Sequence, residues 1–564
     1  MTSNDHRFCL IIGAGFGGII QACTFLRNGI LSSHNIEIID RYSGFGGVWW
    51  KNTYPGAACD TASEVYEISW APNPYWTRRL ASQPEIQQYL EKVAHDHHLD
   101  GCTTFDTEVL ESSWNEDRLL WSVRTKHVKT KLAKEWTCNV LISAAGQYSI
   151  PKKLDIPGIN AFGGQQWHTM DWPKDADLKG KRVGIIGAGP SAAQLIPRIS
   201  QDVSQMYIYK RSSTFCLPRF DPKTSMLRRW LFATFPILRR LSRAWSMKMS
   251  RYIHWNVAQV GSWWQKAVLA VAHYHLNKQV HDERTREKLK ATDRLGCKQV
   301  LVLSDFYPVF NETHVELITD PVTALDKHSI VSRNAATGKE EYREVDVLIW
   351  ATGYKSEEFG VAIPTRGREG QLLSEKYQPD MFSLYGFAVD DFPNFFDLMG
   401  PNSLGFDIHI VDLFEIQAEY VALVCRYLLK RQTGEDCGRR YAVMPNANRV
   451  QEWTLSLREG QAKHPAAVAT CRSHYKSKEG QVYFYPYGYA QYKRLVSRVD
   501  FGRDWVLLSK TTDMPEAIIS GIPSGSLRWF HSPRTCLQGE PQGNVELVNA
   551  PTVGFIEVVP AQGR

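Results

Sequence analysis

The chain has 564 residues, of which 43% are hydrophobic and 22% charged, so it is long enough for several globular domains. Its eleven cysteines include no CxxC pair, which argues against a zinc finger or other metal site and against a redox-active disulfide, and suits a reducing compartment. No run of about 18 uncharged apolar residues occurs, so we expect no transmembrane helix and a cytoplasmic protein.

The first predicted unit is a strand, a glycine-rich turn, a helix and a second strand. Gly13, Gly15 and Gly18 fit GxGxxG directly after the apolar run at 8–12. In this pattern the first glycine permits the turn, the second admits a pyrophosphate and the third lets helix and strand pack closely. Asp40 ends the next strand, where an acid accepts hydrogen bonds from an adenosine ribose and repels a 2′-phosphate. This unit is predicted to bind FAD or NAD.

The same order of elements returns at 182–211. The segment 187–192 fits GxGxxA, a variant of the same fingerprint. Lys210 and Arg211 end the following strand, at the place that Asp40 occupies in the first unit. Cations there pair with the 2′-phosphate of NADPH. The sequence therefore predicts an FAD-type first site and an NADPH second site.

Between the second unit and residue 295 lies a basic segment that reads as helical. Residues 222–281 contain ten Lys and Arg and no Asp or Glu. One hypothesis is a peripheral membrane contact through 223–281, with basic residues on anionic lipid and Leu, Phe and Trp in the bilayer surface. The alternative is a helical subdomain whose apolar side packs on the NADP domain and whose Arg face is solvated. No nucleic-acid-binding motif accompanies the charge, so no nucleic-acid partner is expected.

A further motif lies between the two units. Residues 162–173 fit FxGxxxHxxxWP, with His168 and Trp172 at the defining positions. Here the chain resembles the Baeyer–Villiger monooxygenases, which are class B flavin-dependent monooxygenases. Similar segments include GGVWW at 46–50, YPGAACD at 54–60, LGCK at 295–298 and ATGY at 351–354, and the resemblance covers about 8–508.

The resemblance implies an enzyme that uses FAD, NADPH and O2. It would insert one oxygen atom into a lipophilic ketone to give an ester or lactone, in secondary metabolism and without an obligate protein partner. By this resemblance FAD would contact Val48, Trp49, Trp50, Lys51, Asp60, Thr61, Tyr66 and Val109. NADP would contact Ala58, Cys59, Asp60, Gly187, Ala188, Gly189, Pro190, Ser191, Ala192, Ala193, Arg211, Ser212 and Lys298. His168 and Trp172 would lie in the linker that organises domain motion.

The predicted fold is α/β, with two Rossmann-like dinucleotide-binding domains and a helical insert. FAD-binding parts are predicted at 1–150 and 391–510, and NADP-binding parts at 151–222, with the linker, and 296–390. The helical insert is predicted at 223–295, and an extended appendage of unknown role at 511–564.

One position departs from the family pattern. After LGCK the family carries an Arg whose cation stabilises negative charge during oxygen transfer, and this chain has Gln299. Loss of one such donor costs about 3–4 kcal/mol of barrier. Asp60, which would lie near that Arg, would need another partner. Either another cation such as Lys298 replaces the Arg, or the enzyme performs hydroxylation, epoxidation or N- or S-oxidation, or the chain is a degenerate homologue. We favour an active monooxygenase in which Gln299 and Asp60 serve the catalytic site.

Two rival classes remain at this point. A two-nucleotide disulfide reductase needs a cysteine pair beside the flavin, and Cys59 has no neighbour in sequence. A non-catalytic nucleotide sensor would keep both fingerprints and lack the oxygenation chemistry. A flavin spectrum that NADPH bleaches and air restores would distinguish the enzyme from the sensor.

Overall fold

The computed structural model describes residues 5–356, 358–433, 439–471, 473, 475–477, 480–511 and 546–548. Its strands are β1 (Asp5–Ile12), β2 (Ile36–Ile39), β3 (Thr103–Thr104), β4 (Thr107–Asn115), β5 (Leu120–His127), β6 (Ala133–Ser143), β7 (Gln165–His168), β8 (Arg182–Ile186), β9 (Gln205–Tyr209), β10 (Cys216–Leu217), β11 (Leu301–Val302), β12 (Val315–Ile318), β13 (Val322–Leu325), β14 (Ser329–Arg333), β15 (Glu340–Glu344), β16 (Val347–Trp350), β17 (Thr365–Arg366), β18 (Phe395–Asp397), β19 (Arg439–Pro445), β20 (Trp505–Thr511) and β21 (Glu546–Val548).

The helices are α1 (Phe16–Arg27), α2 (Val48–Lys51), α3 (Gln83–Asp96), α4 (Pro190–Ile199), α5 (Met226–Thr234), α6 (Pro236–Ala258), α7 (Trp263–Gln279), α8 (Glu283–Leu289), α9 (Leu373–Lys376), α10 (Ile410–Thr433), α11 (Ala447–Ala462), α12 (Tyr489–Val496) and α13 (Phe501–Asp504). Over the described ranges, none of them combines the length and the apolar character needed to span a bilayer.

The first sheet has the strand order β17-β4-β5-β6-β1-β2-β3, and β18 also pairs with β6. Strand β1 runs parallel to both β2 and β6. Its residues 8–12 are all buried, as expected for a parallel strand covered on both faces. Helices α1 and α10 pack together and contribute to the core on one face of this sheet. The predicted first nucleotide unit therefore lies at the centre of the larger sheet.

The second sheet has the order β12-β9-β8-β16-β7, and its strand pairs are parallel. Helix α4 follows β8 and buries Ala192, Leu195 and Ile196 against it. The glycine-rich turn between β8 and α4 thus lies at the carboxyl end of β8, where open α/β sheets bind ligands. Two Rossmann-like units with a helical insert confirm the predicted fold class.

The chain returns to the first sheet within the range predicted for the second nucleotide domain. Strand β17 pairs with β4, and β18 pairs with β6. Residues 365–390 therefore pack with the first sheet, although the sequence placed 296–390 in the second unit. In the predicted appendage, β21 pairs with β20, while 512–545 and 549–564 lie outside the described residues.

The helical insert packs on both nucleotide units. Helix α7 contributes Leu276 to the core of the second unit. Helix α6 lies against the first unit, where the Arg243 and Arg251 side chains both pair with the Asp412 carboxylate. The alternative of a helical subdomain on the NADP domain is thus met by α7, whereas its solvated Arg face is corrected for Arg243 and Arg251, because an acid of the FAD part attracts them.

Candidate active site

A cleft with about 1230 Å³ of empty space opens at the carboxyl ends of β1 and β2. The predicted cofactor residues on its wall are Gly13, Gly15, Asp40, Val48, Lys51, Tyr66 and Val109. Gly13 has a φ of +111°, and a Cβ there would lie 2.4 Å from the Ala144 carbonyl oxygen. Only glycine fits this turn. The cleft therefore has the backbone that the first fingerprint predicts.

The Asp40 carboxylate organises the turn beneath this cleft. It accepts hydrogen bonds from the backbone N–H groups of Ala14 (2.7 Å) and Tyr42 (2.8 Å). The side chain is buried, and this desolvation raises its pKa despite both hydrogen bonds. Asp40 thus fixes the glycine-rich turn from below as well as lining the cleft.

A second cleft, with about 2210 Å³ of empty space, lies between the two nucleotide units. The predicted residues on its wall are Trp49, Ala58, Cys59, Asp60, Thr61, Gly189, Pro190, Ser191, Arg211 and Gln299. A Cβ built on Gly189 would have no other atom within 4 Å. Since the fingerprint's second glycine is where a pyrophosphate approaches the backbone, this open space has the character that a dinucleotide requires.

Several residues of the predicted set line neither cleft. They are Gly18, Trp50, Gly187, Ala188, Ala192, Ala193, Ser212 and Lys298. Ala188, Ala192 and Ala193 are buried in the core between α4 and its sheet, and Trp50 packs over Gly44. The fingerprint positions thus include residues whose side chains serve close helix–strand packing, and the contact of these alanines with NADP stays a prediction.

The two cations after β9 have different surroundings. Arg211 lines the second cleft. Lys210 is buried, with its ammonium 5.7 Å from the centre of the Phe306 ring, and desolvation lowers its pKa to about 8. The prediction that both cations face a 2′-phosphate is therefore corrected, because the Lys210 side chain is buried away from the second cleft.

Gln299 occupies the position at which the family carries Arg, and it contacts Asp60. The Gln299 amide Nε2 donates to the Asp60 carboxylate over 3.1 Å. Lys298 points elsewhere, because its Nζ donates to Asp293 (2.5 Å) and to the Ser212 hydroxyl (2.9 Å). This geometry does not support the hypothesis that Lys298 replaces the missing cation. Asp60 instead finds its partner in Gln299 itself.

The two clefts meet at a small group of shared wall residues. Val48, Tyr66, Tyr148 and Ile410 line both. Of these, Tyr148 and Ile410 were missed from the sequence, because they follow no motif and come from loops and helices remote from either fingerprint. A flavin and a nicotinamide held in their respective clefts would face each other at this junction.

The FxGxxxHxxxWP motif lies behind the junction rather than on it. The His168 ring contacts the edge of Tyr354 (5.6 Å between ring centres), and Trp172 contacts Trp167 (5.7 Å). Within the motif, Asp171 forms an ion pair with Lys51 Nζ at 2.7 Å. Neither His168 nor Trp172 lines either cleft. The motif is thus tied directly to α2, the helix that lines the first cleft.

Two cysteines are paired, although the sequence suited a reducing compartment and showed no CxxC pair. Cys297 and Cys471 form a disulfide across 174 residues, and Cys471 lines the second cleft. Pairwise spacing gives no signal for a bond at such separation, so the sequence did not predict it. Cys59 is a free, buried thiol whose pKa is raised to about 12 by desolvation.

Comparisons with known proteins agree with these two clefts. The family model described as "Flavin-binding monooxygenase-like" matches residues 11–360. A Baeyer–Villiger monooxygenase of Streptomyces coelicolor is 31% identical over 512 residues, or 89% of this chain and 93% of that protein. The chain belongs to the Baeyer–Villiger monooxygenases. It is an FAD-containing, NADPH-dependent monooxygenase, as the resemblance implied.

Two further comparisons describe the range of similarity. This chain is 50% identical to FAD-binding monooxygenase BOA2 of Botryotinia fuckeliana over 516 residues. The matched region covers 92% of this chain and 97% of that protein. The crystal structure of cyclohexanone monooxygenase from Rhodococcus sp. Phi1 bound to NADP+ superposes with a TM-score of 0.74. It covers 88% of this chain and 97% of that chain at 23% identity. At this identity, the match to the cyclohexanone monooxygenase structure describes the fold alone.

Proposed function

We propose that this monooxygenase inserts one oxygen atom of O2 into a lipophilic ketone to give an ester or lactone, as a step of secondary metabolism. The observation that carries the proposal is the junction of the two clefts, where Val48, Tyr66, Tyr148 and Ile410 form a shared, largely apolar wall. An apolar wall excludes water from the reacting centre and suits an uncharged, lipophilic substrate. The relatives from Streptomyces coelicolor and Pseudomonas aeruginosa that are named Baeyer–Villiger monooxygenases support the ketone as substrate class.

The residues of each cleft suit one of the two cofactors. We propose that FAD lies over Gly13, Gly15 and Asp40 in the first cleft, and that NADPH lies over Gly189 with its 2′-phosphate on Arg211. Reduced FAD supplies the O2 chemistry when it is bound. The open space at Gly189 and the cation at Arg211 are the features of this chain that fit a phosphorylated dinucleotide.

Asp60 and Gln299 are our candidates for the residues beside the reacting atoms. An amide Nε2 carries two N–H groups, and one donates to Asp60 in this structure. The second can donate to an oxygen on which negative charge develops, which is the part that the Arg plays in the family. Asp60 would orient the amide through its hydrogen bond.

A second candidate function follows from the neutral charge of Gln299. A site with an amide in place of the guanidinium stabilises an oxyanion less and thereby favours transfer that needs none, such as hydroxylation, epoxidation or N- or S-oxidation. The experiment is product analysis by mass spectrometry after incubation with NADPH and isotope-labelled O2 across ketones, sulfides, amines and alkenes. Esters or lactones with one labelled atom support the first function. Labelled sulfoxides, N-oxides, epoxides or alcohols alone support the second, and unlabelled products contradict both.

A further inference from the structure

The helical insert exposes an unusual amount of apolar surface. Of the 24 large apolar side chains that are exposed within the described ranges, sixteen lie between Phe220 and Tyr274. On α6 they recur at the spacing of one helix face: Leu238, Leu241, Trp245, Met249 and Tyr252. This stripe extends for roughly 21 Å at 1.5 Å per residue. Trp245 is 64% exposed and Leu241 60%.

The side of α6 that contacts the protein is largely polar, although it also buries Met247. The hydroxyls of Ser242 and Ser246 donate to the Glu64 carboxylate over 2.8 and 2.7 Å. Arg251 pairs with Asp412 and also covers the Tyr489 ring. An amphipathic helix normally buries its apolar stripe. Here the polar face is used for packing, and the apolar stripe remains at the surface.

The charge around the stripe has one sign. No acidic residue occurs between 222 and 281. The basic side chains of Arg240, Lys248 and Lys266 are exposed beside the apolar residues. A second copy of this surface would place like charges against each other in a two-fold interface, which is unfavourable. A partner with anionic groups above an apolar interior matches both features.

We propose that the insert surface formed by α5, α6 and α7 docks this monooxygenase on an anionic phospholipid bilayer. The apolar stripe enters the boundary between headgroups and acyl chains, and the flanking cations contact lipid phosphates. Basic and apolar contributions together give reversible, salt-sensitive attachment without a transmembrane span.

The helix that carries the apolar stripe also reaches the wall of the cleft junction, through its opposite side. The His254 ring of α6 lies 5.9 Å from the ring of His409 (centre to centre), and the next residue, Ile410, lines both clefts. A lipophilic molecule dissolved in the bilayer would therefore be separated from the site by the width of α6. This consequence rests on the proposed function, whereas the docking itself does not.

Sedimentation with vesicles tests the docking without any substrate. The FAD-loaded full chain is mixed with vesicles of phosphatidylcholine alone or of phosphatidylcholine with phosphatidylserine. We expect pelleting with the anionic vesicles only, weakened by salt. The double variant Leu241→Ser/Trp245→Ser should bind roughly tenfold more weakly or worse. Leu455→Ser is the matched control, because Leu455 is also exposed on a helix, at 52%, away from the insert.

The outcomes separate docking from catalysis. Failure of the native chain to pellet, or equal pelleting of the double variant and the control, overturns the proposal. Light scattering in the absence of lipid is the second measurement. A dimer that the double variant abolishes, without vesicle binding, identifies a second copy as the occupant and also overturns it. Turnover of a water-soluble ketone should be unchanged in both variants, so a failure of the proposed oxygenation would be detected separately.

Discussion

Replacing Gln299 with Ala tests whether its amide acts on the reacting atoms or only orients Asp60. The Gln299–Asp60 hydrogen bond is 3.1 Å long and lies in an open cleft. Such a bond contributes about 1 kcal/mol, which would change the rate by roughly fivefold. A donor that stabilises charge developing in the transition state contributes about 2.7–4 kcal/mol, or roughly 10²- to 10³-fold. The two roles therefore predict effects of different size.

We expect the larger effect, a fall in product-forming kcat of at least about 10²-fold with the KM for NADPH almost unchanged. The assay measures NADPH oxidation and product in the same sample, so that uncoupled turnover is distinguished from oxygenation. Gln299→Arg is the matched variant, because it keeps a donor to Asp60 and adds a cation. Its ketone turnover should equal or exceed that of the native chain. A loss of fivefold or less in Gln299→Ala would refute the direct role and leave the amide only an orienting one.

Three further predictions concern the cofactor clefts and their support. Arg211→Ala should raise the KM for NADPH roughly 10- to 100-fold, because a charge-assisted bond to the 2′-phosphate is lost, and should leave the KM for NADH unchanged in steady-state kinetics. Lys210→Met should not affect either KM, since the Lys210 ammonium is buried against an aromatic ring. Asp40→Ala removes the acceptor for two backbone N–H groups, so we expect FAD to be lost on gel filtration, measured from the flavin absorbance. Burial raises the pKa of Asp397 from 3.8 to about 6. The folded chain therefore holds this proton more tightly than the unfolded chain, and stability should fall by about 3 kcal/mol as pH rises from about 4 to 6. Asp397→Asn should remove this fall in denaturation measured across that range.

The sequence predicted the nucleotide turns well because their geometry depends on neighbouring residues. Gly13 must have a positive φ, and Asp40 lies at the end of the very next strand. Both requirements appear as fixed spacings along the chain. The same spacing does not separate the roles of Ala192 and Ala193, because a fingerprint records helix packing as well as ligand contact.

Contacts between distant segments could not be predicted in this way. Asp60 and Gln299 are 239 residues apart, and no local sequence pattern predicts that the Gln299 amide faces the Asp60 carboxylate. The sequence therefore offers Lys298, the nearest basic residue, as the candidate replacement cation. In the structure the Lys298 ammonium is instead held by Asp293 and Ser212.

The insert shows most clearly what periodicity leaves undetermined. The repeat of Leu, Trp and Met predicts that α6 is an amphipathic helix, and a repeat of this kind usually marks the buried face. Which face is buried depends on what lies opposite. Here Glu64 and Asp412, which are remote in sequence, present carboxylates to α6, and burying them against Leu241 or Trp245 would leave their charge unpaired. The serines and arginines of α6 satisfy these carboxylates, so the polar face turns inward and the apolar stripe must turn outward. The exposed stripe is therefore a consequence of the acidic surface beneath the helix, and the docking that we propose would place it in the one kind of surroundings, an anionic bilayer, that suits both its apolar residues and its flanking cations.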